Sequence, residues 1–308
     1  MERPRQILVV IDPTATRHPA LTRAKMLAHA FRARVELFVC HVPRAASATR
    51  VDELRLEALA NGLREQGIET ATDESSDNSL HAGILRKVLD ARPSLVVKDT
   101  HPHSLLRRSV LANTDWQLIR LCPVPLLFVK AGDWGWPPHI AAAVDVSLPG
   151  EKPAALDHLL LSAAESFALA TRGHLHAVHA YLPTAALPMA TLVSPLDLGG
   201  TGEVLERGQF DELLATHAVP PGHRHLIARR TSEALVDCVR EWGIDLLVMG
   251  AIARGWMYNA VVGSTTERVL DLLPCDVLVL KPASFECPLN WAASGDQPTP
   301  AGAWASRS

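Results

Sequence analysis

The chain has 308 residues, 48% of them apolar and 20% charged, with a formal net charge of −3. That length exceeds the usual size of one open-sheet unit, the composition is that of a globular protein, and the charge lacks the basic excess of a nucleic-acid surface. No apolar run reaches the roughly 18 residues of a spanning helix, and Met1 to Gln6 lead into a short apolar run closed by Asp12 and Pro13 rather than a signal-peptide core. A cytoplasmic protein with neither membrane nor nucleic acid as a partner is expected.

In chain order, short apolar runs alternate with longer helical patterns, which marks βαβ units and a mainly parallel sheet. The first strand is Ile7–Ile11, and Pro19–Phe31 follows as a helix with Pro in its first turn and an Ala- and Leu-rich body. Further strands are expected at Val35–Val42, Ile68–Ala71, Leu95–Lys98 and Leu126–Val129. After a connection bearing Trp134, Trp136, Pro137 and Pro138, the pattern restarts with Ile140–Val144, Leu175–Ala180, His225–Ala228, Leu246–Met249 and Val277–Leu280. Between Tyr181 and Gly202 there is too much Pro and Gly for a long helix, so a loop or partial lid is expected there. From Ser284 the chain is rich in Pro, Gly, Ser and Ala and reads as a flexible tail.

The restart is an internal repeat. The run ending at Asp99 overlies the run ending at Gly250, and the same register, without a gap, lays Pro123, Leu127 and Lys130 on Pro274, Leu278 and Lys281. Asp12 corresponds to Asp145 at a shorter offset, so the second copy holds an insertion. The expected fold is α/β: two tandem doubly wound five-stranded parallel-sheet domains, strand order 3-2-1-4-5, over residues 1–133 and 134–283, with the tail at 284–308. Cys40, Cys122, Cys238, Cys275 and Cys287 are odd in number and scattered, which suits buried free thiols rather than a disulfide framework or a zinc knuckle.

A sheet of this kind takes ligands beyond the carboxyl ends of its strands, where the strand order reverses. In the second copy Asp145 ends the first strand, Gly250 ends the fourth, and Gly263-Ser264-Thr265-Thr266-Glu267 opens the last helix. Backbone amides at such a helix start attract anions, although Ser264 and Glu267 also make an ordinary capping box that needs no ligand. No nucleophile is paired with a base, so a binding protein is expected and not an enzyme.

These residues resemble those of the universal stress protein family. Its ATP-binding members carry Gly-x2-Gly-x9-Gly-Ser/Thr after the fourth strand, and Gly250, Ala253, Gly263 and Ser264 fall in that register with alanine in place of the middle glycine. The family's adenine-contacting Asp matches Asp145, with Asp12 in the first copy. Its His-Val pair matches His41-Val42 and His179-Ala180, and its closing Lys-Pro matches Lys281-Pro282. The resemblance covers residues 5 to 282 and implies the adenine nucleotide alpha-hydrolase-like fold, a stress-linked role, and a small-molecule ligand. It implies ATP as a cofactor of the second domain, held by Asp145, Val146, His179, Ala180, Gly250, Ala253, Gly263, Ser264 and Thr265, more weakly than where the middle glycine is kept. Alternatives are slow ATP hydrolysis, adenylyl transfer, or a dimerising scaffold whose pockets hold a lipid-like ligand.

In the first copy the equivalents of Gly250, Ala253, Gly263 and Ser264 are Asp99, Pro102, Ala112 and Asn113, and the Asp99 carboxylate would repel a triphosphate. Histidines take their place. His41, His101 and His103 fall on one edge of the sheet and could ligate zinc, though a lone His-x-His is a weak motif. The final strands of both domains are apolar throughout and lie at a sheet edge. They are expected to meet antiparallel across an approximate twofold axis as an intramolecular pseudo-dimer, with higher oligomers open.

Overall fold

The computed structural model describes residues 3–42, 50–100, 111–147, 155–183, 195–251, 270, 272–285, 287, 289–290 and 299–300. The chain divides into two compact units. One is Pro4–Leu126 with Ala283–Ser308; the other is Leu127–Pro282 with Met1–Arg3.

The first unit runs β1 (Gln6–Val10), α1 (Pro19–Phe31), β2 (Arg34–His41), α2 (Arg50–Arg64), β3 (Thr70–Ser76), α3 (Leu80–Ala91), β4 (Leu95–Asp99) and α4 (Leu111–Leu121). Its strands lie in the order β3-β2-β1-β4, and every pair is parallel. The order explains the composition of each strand. β1 and β4, covered on both faces, are apolar runs whose Ile7, Leu8, Val9, Leu95, Val96 and Val97 are fully buried. β3 lies at the outer edge and is polar, Thr70 to Ser76, so a search for apolar runs stops short at Ala71. Lys87 of α3 ties this edge down, reaching Glu36 of β2 at 2.6 Å and Asp73 of β3 at 2.7 Å. Ala20, Ala24 and Ala28 are buried along α1, and small side chains there let the helix lie close to β1 and β4.

β5 (Leu126–Val129) falls on the boundary between the units, with Leu126 in one and Leu127 onward in the other. The second unit continues with β6 (His139–Val144), α5 (Ala155–Thr171), β7 (His174–Tyr181), α6 (Pro195–Leu214), a 3-10 turn at Pro221–His223, β8 (Arg224–Ala228), α7 (Thr231–Glu241), β9 (Leu246–Gly250) and β10 (Asp276–Leu280). Its strands run β10-β9-β6-β7-β8, again parallel, which is the order of the first unit with its own fifth strand in place. β4 and β9 start and stop at equivalent residues of the repeat. In the tail, β11 (Leu289–Asn290) and β12 (Thr299–Pro300) form a two-residue antiparallel ladder.

One expectation is corrected. Helix α6 begins at Pro195 and includes Gly199, Gly200 and Gly202. Proline fits a helix's first turn, and Phe210 and Leu214, four residues apart and buried, anchor the helix from its other end against the cost of its glycines. Residues 184–194 lie outside the described residues.

Two equivalent helices also end alike. Arg32 after α1 and Arg172 after α5 both sit in the left-handed region, at φ 55° and 54°, as does Arg92 after α3 at 45°. Arg32 N–H donates to Ala28 O and closes its helix. The four described cysteines within the domains, Cys40, Cys122, Cys238 and Cys275, are free and buried.

Candidate ligand-binding site

In each unit the first strand separates two neighbours reached by opposite connections. β1 lies between β2 and β4, and β6 lies between β7 and β9. The crevice at the carboxyl end of β6 is therefore the switch point of the second sheet. Asp145 and Val146 leave β6 there, His179 and Ala180 lie near the end of β7, and Gly250 ends β9, so the fold brings these five predicted residues to one edge. Ala253, Gly263, Ser264 and Thr265 lie outside the described residues.

Asp145 is exposed and accepts the Ser147 N–H at 3.1 Å, while its own N–H donates to Asp157 of α5 at 3.2 Å. Asp12 makes the same turn in the first copy, accepting both the N–H and the hydroxyl of Thr14 at 2.9 and 2.7 Å. This shared Asx turn confirms the pairing of the two aspartates in three dimensions. Gly250 is half-buried, and α5 closes over it: a Cβ at that position would come within 3.0 Å of Leu156 Cδ2. The glycine thus has a packing role as well as any role toward a ligand.

His179 is wholly buried. Its Nδ1 lies 3.2 Å from Val144 O and its Nε2 2.9 Å from Glu206 Oε2 on α6, so both ring nitrogens face acceptors. The Ser147 hydroxyl donates to the same oxygen at 3.3 Å, and Phe210 packs against the His179 ring at 5.9 Å. Glu206 was not foreseen from sequence. Its signal is the spacing of Glu206, Phe210 and Leu214, which places all three on one face of a helix.

The first copy fills the same edge with its own charges. Asp99, buried, accepts the Ala20 N–H of α1 at 2.5 Å, so an internal carboxylate occupies a helix start. Beside it Lys98 Nζ lies 2.8 Å from Asp115 Oδ1 of α4, with both side chains buried, and Thr100 donates to the other oxygen of Asp115 at 3.1 Å. The equivalents of Lys98, Thr100 and Asp115 in the second copy are Met249, Ala251 and Thr266, none of them charged. His41, a predicted zinc ligand, ends β2 with its Nε2 3.0 Å from Glu74 Oε2. His101 and His103 lie outside the described residues. Among the described residues no group of three or more His, Cys, Asp or Glu side chains is arranged to hold a metal ion, and no helix is long and apolar enough to cross a membrane.

The far end of the second sheet carries a histidine cluster that sequence reasoning missed. His139 Nδ1 lies 2.9 Å from His176 Nε2, and His176 Nδ1 lies 3.0 Å from His225 Nε2. His223 stacks on His176 with centroids 4.1 Å apart, and Trp242 stacks on His225 at 3.7 Å. The signal was alternation: His174 with His176, and His223 with His225, are two residues apart, the spacing that puts side chains on one face of a strand.

Two tandem doubly wound α/β units, each with an aspartate turn at its switch point, define a duplicated open parallel-sheet fold. The model of the universal stress protein family matches residues 4–130 and 138–281, and the chain belongs to that family as a tandem member. Universal stress protein E of Photorhabdus laumondii is 29% identical over 93% of this chain and 98% of its own length. Universal stress protein E of Escherichia coli K12 is 28% identical over 92% and 96%. A functionally unknown protein from Pseudomonas aeruginosa PAO1, solved by crystallography, superposes with a TM-score of 0.76 at 28% identity over 91% of this chain and 93% of that one.

Proposed function

We propose that this protein is a cytoplasmic ligand-binding member of the stress response that takes a nucleotide, with ATP the first candidate, at the switch point of its second copy alone, and performs no chemistry on it. The observation that supports this reading is the contrast at one register position. Gly250 leaves its strand end without a side chain beside the exposed Asp145, whereas Asp99 fills the equivalent place with a buried carboxylate. A phosphate group would there meet a second negative charge at close range. In the second copy the nucleoside portion would rest on Asp145, Val146 and Ala180, with the phosphates toward the start of the last helix.

Titration calorimetry with ATP on the full chain tests the assignment. Asp145→Ala is expected to weaken binding by tenfold or more, and Asp12→Ala to leave it unchanged. Equal affinity in Asp145→Ala and the unaltered chain would sink it. The reading also includes five strands per copy, with the two final strands meeting antiparallel. The apolar, uncharged runs Leu126–Val129 and Val277–Leu280 support that arrangement. Leu278→Lys should then separate the two units in small-angle scattering, and an unchanged scattering profile would count against it.

A further inference from the structure

At the amino ends of β6, β7 and β8, opposite the candidate ligand site, three imidazoles stand in line. Each of the two gaps, 2.9 Å between His139 and His176 and 3.0 Å between His176 and His225, is the length of one N–H···N hydrogen bond. One proton fits in each gap. The neutral chain satisfies both: His139 Nδ1–H donates to His176 Nε2, and His176 Nδ1–H donates to His225 Nε2, or the whole set runs in reverse. One added proton enters at His139, the half-exposed end. It can reside on any of the three rings, because passing the bridging protons along moves the charge and leaves each gap with one proton. A second added proton makes two of the three rings double donors. The protonated rings are then adjacent, or they flank a neutral His176 that has only one lone pair to offer; in either case one gap holds two N–H groups and opens.

We infer that His139, His176 and His225 form a proton-operated latch across β6, β7 and β8, which keeps both links with one added proton and loses one with the second. The surroundings set where it operates. His174 lies 4.8 Å from His139 and edge-on to His223, and His223, whose Nδ1–H donates to Leu175 O at 2.9 Å, stacks on His176. Each of these rings repels a charge on its neighbours. Asp245, ahead of β9, is the carboxylate that favours a charge on His139, but its oxygens already accept the N–H groups of Gly135 and His139 at 2.7 and 2.8 Å. α7 presents the Trp242 indole to His225, and its buried Cys238 thiol is pushed up to about 12 by burial and by Glu241. On α5, Glu165 is held by His217 and Ala218 N–H, and Asp157 lies at the opposite end beside Asp145. From β8, Arg224 is turned to Val219 O and Asp211.

Burial and then the neighbouring histidines hold His176 down to about 3, burial and His223 hold His225 down to about 4, and burial lowers His139. The unfolded chain therefore binds more protons than the folded one. The contribution to stability is complete above the ordinary histidine value of about 6.5 and is lost as pH falls from there through 4 toward 3. Two rings that stay neutral in the fold raise the unfolding constant about a hundredfold per pH unit below about 6.5.

The test is denaturant unfolding of the full chain between pH 8 and pH 4, with nitrogen-15 NMR of its labelled histidine rings over the same range. The expected result is the steep rise in unfolding constant and two rings, those of His176 and His225, that stay neutral well below pH 6. His176→Phe, which keeps the packing and breaks both links, should flatten the rise by tenfold or more per pH unit. Equal slopes in the two proteins would overturn the latch, as would rings that titrate at the ordinary value. If His176→Phe does not fold, the ring titration of the unaltered chain decides. Stoichiometric zinc at neutral pH that shifts all three rings and protects the protein from acid would also overturn it, in favour of a metal site.

Discussion

The carboxyl edge of the first sheet and that of the second descend from one repeat, and they now solve different electrostatic problems. Lys98, Asp99, Thr100 and Asp115 make the first edge self-sufficient: one carboxylate caps α1, and the other is neutralised by a lysine and a hydroxyl. In the sequence of the second copy the corresponding residues are Met249, Gly250, Ala251 and Thr266. The second edge keeps its aspartate turn and brings in Glu206 from α6 to meet His179. The first copy thus holds charges internally, as part of its core, where the second copy has uncharged residues in sequence.

The ion pair offers the strongest way to break that comparison. Lys98→Met leaves Asp115 charged and buried, and is expected to cost about 3–5 kcal/mol. Lys98→Met with Asp115→Thr, which gives the first copy the residues of the second, should recover most of that loss. Denaturant unfolding of the single and double variants measures both. A double variant no more stable than the single would show that the two edges are not interchangeable at these positions. A smaller effect bears on what the copies still share. Arg32→Gly and Arg172→Gly should each raise stability by up to about 1 kcal/mol, because glycine removes the left-handed strain at a matched helix end. Opposite signs at the two sites would show that their common backbone serves different contacts.

Much of the fold was legible because its signals are local. The period of apolar runs located the strands β1 to β10 with the exception of β3, and the ungapped register that pairs Asp99 with Gly250 aligned β4 with β9 to the residue. β3 was placed short because an edge strand needs no apolar run, and the first turns of α6 were read as loop because its glycines and proline are outweighed by buried contacts at its far end. The candidate site was legible as far as strand ends allow: Asp145, Val146, His179, Ala180 and Gly250 do gather at one edge. Glu206 and the line of His139, His176 and His225 were not read, since each needs elements far apart in sequence to be brought side by side. The packing of Leu156 over Gly250 was also invisible, because a glycine alone does not say whether its space is kept for a ligand or for a neighbouring helix.

The buried cysteines carry a consequence for oxidant chemistry. Peroxide and other electrophiles react with thiolates, and a thiol with a pKa of about 12 is ionised in only about one molecule in 100,000 at neutral pH. Burial raises Cys40, and it lifts Cys238 and Cys275 to about 12. Cys122 is buried and donates to Val124 O. Cys287, in the tail, is the partly exposed one. Peroxide treatment of the folded chain is therefore expected to leave the buried domain thiols unmodified, and modification of one of them would report that its domain had opened.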